Sequence, residues 1–177
     1  MKKIAIGILI VIAGAVAAIL IIASTRPNTF SVRRSIAINA GPEKIAPYID
    51  DFHKWTSWSP YEKKDPAMKR TYGGSERGKG AVYEWKGDSK IGAGRIEITD
   101  ASLSRIGMKL DFLKPLKAHD TAEFILKPEG KSTNVTWIMQ GPNLFIGKIM
   151  SVFFNMDKMI GRDFETGLQN LKSVAEK

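Results

Sequence analysis

From residue 30 onward the chain returns again and again to one pattern, apolar side chains at every second position, and then closes on a single long amphipathic stretch. Alternation of period two is the signature of a strand with one buried and one wet face. It begins with Phe30, Val32, Ile36 and Ile38 against Ser31, Arg33, Ser35 and Ala37. It returns at Ala81–Trp85, Ile96–Ile98, Ile106–Phe112, Ala122–Leu126 and Val135–Met139, with a short segment at Met68–Tyr72. Gly87-Asp88, Pro115 and Pro128-Glu129-Gly130 are turn residues between these segments. Connections this short favour antiparallel hairpins, and one apolar face per strand predicts a sheet covered on one side only. Between the first strand and the rest, Gly41-Pro42-Glu43 opens a helix carrying Ile45, Tyr48, Ile49 and Phe52, followed by an irregular turn around Trp55–Tyr61. The final stretch predicts one long helix over Ile146–Ala175, whose apolar stripe needs the cover that the sheet offers. Gly161 and Gly167 interrupt it, where strands can approach closely.

The first thirty residues obey a different rule. Ile4–Ala23 contains no charged and no strongly polar side chain. Twenty helical residues span about 30 Å, the thickness of a bilayer core. A cleaved signal peptide competes with an uncleaved anchor, but the run exceeds the usual signal core and its small-residue sites are followed by more apolar sequence. The expected organisation is a short basic start at 1–3, a transmembrane signal-anchor helix at 4–23, a linker at 24–29 and a domain at 30–177. Lys2 and Lys3 favour a cytoplasmic N-terminus and an extracytoplasmic (periplasmic) domain. Arg26, Arg33 and Arg34 pull toward the cytoplasmic alternative. Gly14 and Ala18 form a small-xxx-small pair that chance explains in so Gly/Ala-rich a run.

Charge and composition narrow the function classes. The chain has no Cys and only two His, so thiol chemistry and Cys- or His-rich metal centres are not expected, nor is a cofactor. Removing Lys2 and Lys3 from the net charge of +9 leaves +7, a balance that draws a tethered domain toward anionic headgroups. Nucleic acid is not the expected partner, because the basic residues are scattered and the aromatics fall on apolar strand faces. Gly73–Gly80 almost spells a phosphate-binding loop, but Gly80 stands where a hydroxyl is needed and a strand follows instead of a helix. Gly92-Ala93-Gly94 reads as a turn or bulge. His119 and Asp120 are neighbours on a strand and point to opposite faces, His53 ends a helix, and Asp50-Asp51 diverge by about 100°. No catalytic residue is assigned.

The order strand, two short helices, about six strands, long helix resembles the helix-grip arrangement of the START/Bet v 1-like (SRPBCC) superfamily. The chain is most similar to its polyketide cyclase/dehydrase-like branch. The resemblance is carried by Asp51-Phe52-His53-Lys54-Trp55-Thr56-Ser57-Trp58-Ser59-Pro60-Tyr61-Glu62, Asp65-Pro66, Gly78-Lys79-Gly80-Ala81-Val82-Tyr83-Glu84-Trp85, Gly92-Ala93-Gly94, Val135-Thr136-Trp137 and Gly161–Leu168, and covers roughly Thr29–Lys177. It implies an α+β fold, a curved antiparallel sheet wrapped around the C-terminal helix, with an apolar cavity between them. The candidate lining is Tyr83, Trp85, Met108, Phe112, Phe124, Trp137 and Met139 from the sheet, with Met150, Phe153, Met156 and Ile160 from the helix. Four of the seven Met lie at 139, 150, 156 and 159, and Met suits surfaces that adapt to varied apolar shapes. Trp55, Trp58 and Tyr61 are read either as a lid over the cavity mouth or as a plug at one end of the sheet. The leading expectation is a membrane-anchored binding domain for a hydrophobic small molecule or lipid. The alternatives are a cyclase or dehydratase acting on an apolar substrate, and a structural or partner-binding module with a closed cavity.

Overall fold

The computed structural model describes residues 2–177; Met1, the first residue of the basic start, lies outside the described residues. Every alternating segment forms a strand: β1 (Thr29–Ile38), β2 (Lys69–Gly74), β3 (Ala81–Lys86), β4 (Ala93–Ala101), β5 (Arg105–Lys114), β6 (Ala118–Glu129) and β7 (Ser132–Pro142). They make one seven-stranded antiparallel sheet in the order β1-β7-β6-β5-β4-β3-β2. Strands β2 to β7 follow one another as hairpins, and β1 returns to pair with β7. Register shifts between Ala93 and Gly94 and between Ile98 and Asp100 bend β4 against β5, as bulges do.

The inner face is covered by helices. After α1 (Lys2–Ser24) and β1 come α2 (Pro42–Ile49), a 3-10 turn (Phe52–Ser57) and α3 (Pro60–Lys64). α2 begins with Pro42 and Glu43, which suit the first turn of a helix, and buries Ile45, Ala46 and Ile49. The C-terminal stretch departs from expectation. In place of one helix over Ile146–Ala175 there are two, α4 (Phe145–Phe153) and α5 (Met156–Ala175). The break has a local cause. Phe154 is extended, and the Asn155 side chain accepts a hydrogen bond from the backbone N–H of Lys158 at 2.9 Å, capping a new helix. Only α5 lies against the sheet, burying Phe164, Leu168, Leu171 and Ala175.

Two contacts fix α5 in the grip. Arg34 occupies an inner-face position between Val32 and Ile36, where alternation leads one to expect an apolar residue. Its guanidinium donates to Asp157 Oδ2 at 3.0 Å and Glu165 Oε1 at 2.7 Å, tying β1 to the first three turns of α5. Gly161 makes room for it, since a Cβ there would collide with the guanidinium. One and a half turns later, a Cβ on Gly167 would stand 2.8 Å from the Trp137 ring and 2.9 Å from Pro60. The two glycines that weaken the helix locally are the ones that admit the sheet.

α1 is uncharged from Ile4 to Ser24, long and apolar enough to cross a membrane, and exposed along nearly all its length. Its last turn is held by the domain. Ala23 is fully buried, and α4 packs alongside α1. The connection 25–28 is pinned as well: Asn143 donates from its backbone N–H to Asn28 O at 2.7 Å, and Lys148 Nζ donates to Asn28 Oδ1 at 2.6 Å.

Candidate ligand cavity

Between the sheet and α3/α5 lies a cavity of about 300 Å³. Its walls come from four sources, each placed by the local pattern described above. Tyr83 and Trp85 on β3, Ile96 on β4, Leu110 and Phe112 on β5, and Trp137 and Met139 on β7 point inward because they share one face of the pleat. Ile160, Asp163 and Phe164 come from α5, and Tyr61, Glu62 and Lys64 from α3. Trp55 from the 3-10 turn, Ser59, Met68, and Lys90 and Ile91 from the β3–β4 hairpin complete the lining. Trp137 stacks on Phe164 with ring centroids 4.0 Å apart and planes at 4°, so the floor is a rigid aromatic surface. Lys64 Nζ donates to Asp163 Oδ2 at 2.5 Å and bridges α3 to α5 at the rim.

One wall is polar and buried. Glu62 is 6% exposed. Its Oε1 accepts from the Tyr83 hydroxyl at 2.5 Å and its Oε2 from Arg70 Nε at 2.6 Å. A carboxylate out of water needs such partners, and a charged donor on one oxygen with a hydroxyl on the other supplies them. Burial, followed by the hydrogen bond to Glu62, pushes the Tyr83 hydroxyl well above the ordinary tyrosine range. Tyr61 is raised in the same direction by burial and then by Asp163. Both phenols therefore remain protonated at neutral pH, and the Tyr83 hydroxyl donates to Glu62. A second inward carboxylate, Asp120 on β6, lies beside the lining strands β5 and β7. It is 5% exposed, and its Oδ1 has no partner among the described residues.

The family described as polyketide cyclase/dehydrase and lipid transport matches residues 29–176. The chain belongs to this family. Protein CV1439 from Chromobacterium violaceum has a similar fold, with a TM-score of 0.59 and 14% identity over 86% of this chain and 99% of that one. The di-domain aromatase/cyclase BexL of the BE-7585A biosynthetic pathway gives a TM-score of 0.61 at 14% identity, over 88% of this chain and 53% of BexL. This chain thus spans about half of BexL. Ara h 8.0201 follows with a TM-score of 0.52 at 8% identity, over 84% of this chain and 95% of that one. At such identities the likeness is one of fold, here the Bet v 1-like helix grip. No curated protein sequence matches the chain. The polyketide cyclase/dehydrase and lipid transport family is built on a hydrophobic-ligand-binding fold, and the apolar cavity lies where that fold encloses its space.

Within this family fold the structure sorts the predicted residues. Tyr83, Trp85, Phe112, Trp137, Met139 and Ile160 line the cavity, with Trp55 and Tyr61 on its wall. Met108 and Phe124 share the inner face but are sealed in the core beyond it. Trp58 is not over a mouth. It is fully buried, its indole N–H donates to Tyr48 O at 2.7 Å, and its ring packs edge-on against Phe124 and Trp137. The positions expected for Met150, Phe153 and Met156 are corrected. The break at Phe154–Asn155 turns α4 away from the sheet, and all three side chains are exposed. Sequence reasoning missed Ser59, Glu62, Lys64, Met68, Lys90, Ile91, Ile96, Leu110, Asp163 and Phe164 as lining. Ile96 and Leu110 were visible as inward alternants, whereas Glu62 gave no signal beyond its place after Pro60. Neither His borders the cavity: His119 pairs with Asp111 on the outer face, and His53 pairs with Asp51 and stacks on Tyr72.

Proposed function

We propose that the chain is a membrane-anchored domain that binds a hydrophobic small molecule or lipid in the cavity between sheet and α5. Residues 4–23 serve as the anchor, 24–29 as the connection and 30–177 as the binding domain. The two lysines at the N-terminus favour an extracytoplasmic domain. The observation that carries the reading is the cavity itself: about 300 Å³, walled by aromatic and aliphatic side chains, with one hydrogen-bonded polar cluster on its wall. Ligand pockets have this make-up, with apolar walls for affinity and few polar groups for orientation, and this volume is at the small end of their range. It suits one ring system or one chain, with a polar end directed at Tyr83 and Glu62. The test is a cavity-filling variant. Leu110→Trp places an indole in the space a ligand would occupy and costs little packing, because the space is empty of protein. Full-length protein in detergent is expected to carry an apolar molecule by native mass spectrometry and to bind a fluorescent fatty acid. Leu110→Trp, with its melting temperature close to wild type, is expected to lose at least tenfold in affinity. Wild-type protein that binds no apolar probe, or a variant that binds as well as wild type, would sink the reading.

A second reading, a cyclase or dehydratase, is favoured by the Glu62–Tyr83 pair. A carboxylate beside a protonated phenol is an acid–base couple inside an apolar site. Glu62 would take a proton from carbon, and the Tyr83 hydroxyl, turning its one proton from Glu62 to the substrate, would hydrogen-bond the adjacent carbonyl oxygen as it becomes an enolate. Incubation with a synthetic β-polyketone thioester distinguishes the readings. The enzyme reading expects a ring-closed product from wild type and none from Glu62→Gln. No product from wild type retires it.

A further inference from the structure

Outside α1, the exposed large apolar side chains are concentrated in two segments. One is Leu144–Met159, which includes Phe145, Met150, Phe153 and Phe154; the other is the tip between β5 and β6, with Leu116. Soluble surfaces scatter such residues singly, and a contiguous patch marks a contact site. Phe153 is 61% exposed and Leu116 56% exposed.

The strand register brings both segments to the same end of the sheet. Thr29, where the chain leaves α1, pairs with Pro142, which leads into α4. Thr121 pairs with Gln140, and Phe112 with Ala118, so the β5–β6 tip lies at that end too. α4 packs alongside α1, making the apolar patch continuous with the helix that can cross a membrane. From Leu144 to Met159 the single acidic residue is Asp157, which is paired with Arg34, and none occurs from Leu113 to Ala118, while Arg26, Lys114, Lys117 and Lys158 are exposed around the patch. An apolar surface whose free rim charges are mainly cations complements an anionic lipid headgroup layer.

We propose that α4, the start of α5 and the β5–β6 tip rest in the interface of an anionic phospholipid bilayer, so that the cavity takes up its ligand from lipid instead of from water. The inference rests on α1 spanning that bilayer. The cavity reaches the same end of the sheet through Trp85, Ile91 and Phe112. A ligand passing between bilayer and cavity there would travel along apolar side chains. Docking also explains why the connection 25–28 is pinned by Asn143 and Lys148: a fixed anchor sets the orientation of the domain.

The chain has no Cys, so single labels can be placed at will. Leu9→Cys, Leu116→Cys, Phe153→Cys and Lys131→Cys, all at exposed positions, are each labelled with an environment-sensitive fluorophore. The full chain is reconstituted into vesicles of phosphatidylcholine and phosphatidylglycerol. Labels at 9, 116 and 153 are expected to be quenched by brominated lipid and to show several-fold weaker quenching by iodide than the label at 131. A lipid-quenched label at 9 with iodide-accessible labels at 116 and 153 overturns the docking and leaves the anchor standing. Iodide access at 9 overturns the anchor reading, and the docking with it. A label at 153 shielded from iodide yet insensitive to brominated lipid assigns the patch to a second copy of the chain and also overturns the proposal.

Discussion

Trp137→Ala is expected to lower the stability of the domain by about 3–5 kcal/mol, the usual cost of truncating a buried tryptophan. Trp137 is 4% exposed and is the hub of the interior. It stacks on Phe164 at 4.0 Å and on Phe124 at 4.9 Å, and meets Trp58 and Tyr61 edge-on at 5.7 and 6.4 Å. Gly167 exists at its position because this ring lies against it. Truncation removes the transfer free energy of the indole and leaves a void beside an existing cavity. The surrounding rings cannot collapse into it without leaving their own partners. For a chain of this size the melting temperature should fall by roughly 6–20 °C. Trp137→Phe, which keeps the stack, should cost distinctly less. Phe145→Ala, at an exposed site on α4, should leave the melting temperature of detergent-solubilised protein almost unchanged. Thermal denaturation of the three variants decides the matter: equal melting points for wild type and Trp137→Ala would mean that the aromatic stack does not hold α5 to the sheet.

The parts of the fold that were legible in sequence are those where one side chain in two faces water. Strands β3 to β7 announce themselves because Tyr83, Ile96, Met108, Phe124 and Trp137 each have a polar neighbour and an apolar residue two places away on the same face. The reading failed where pattern and environment part company. Ile149, Phe153, Met156 and Ile160 keep helical spacing across Phe154–Asn155, so a count of apolar residues sees one helix. Such a count records that a side chain is apolar, not what covers it, and in α4 the sheet does not. The cap that ends the run was nevertheless present as Asn155 followed by Asp157, a helix start inside a supposed helix. Inward charges were hidden for the opposite reason. Arg34 and Asp120 fall on the inner phase of β1 and β6, where alternation predicts apolar residues, and only their partners or lack of them in three dimensions give them meaning. Arg34 has Asp157 and Glu165. Glu62 lies on a five-residue helix too short for any periodicity, so its meeting with Tyr83 and Arg70 depends on contacts between distant segments.

Asp120 sets the second large effect, one of pH. Burial pushes its carboxyl up to about 6, with a smaller opposing pull from His119. Its Oδ1 is unpartnered and lies against Gly141, where a Cβ would collide with it. In the unfolded chain an aspartate titrates near 3.9. Between about pH 4 and pH 6 the folded protein therefore holds a proton that the unfolded protein has released, and stability falls as pH rises through that window. Above it the ionised carboxylate costs about 2–3 kcal/mol relative to a neutral group in the same place. Asp111 and Asp157 run the other way. Hydrogen bonds from His119 and Arg34 hold their carboxyls below the usual range, so their contribution is lost only as pH drops toward and below about 4. Because the two effects occupy different windows, Asp120→Asn separates them. The variant should be more stable than wild type at pH 7.5, the difference should shrink steadily from pH 6 to pH 4, and below pH 4 the two proteins should lose stability together. Urea unfolding at a series of pH values measures this directly. Parallel stability profiles for wild type and Asp120→Asn across pH 4–7.5 would show that Asp120 finds a partner or water in solution and that the inner face beside the cavity tolerates a charge.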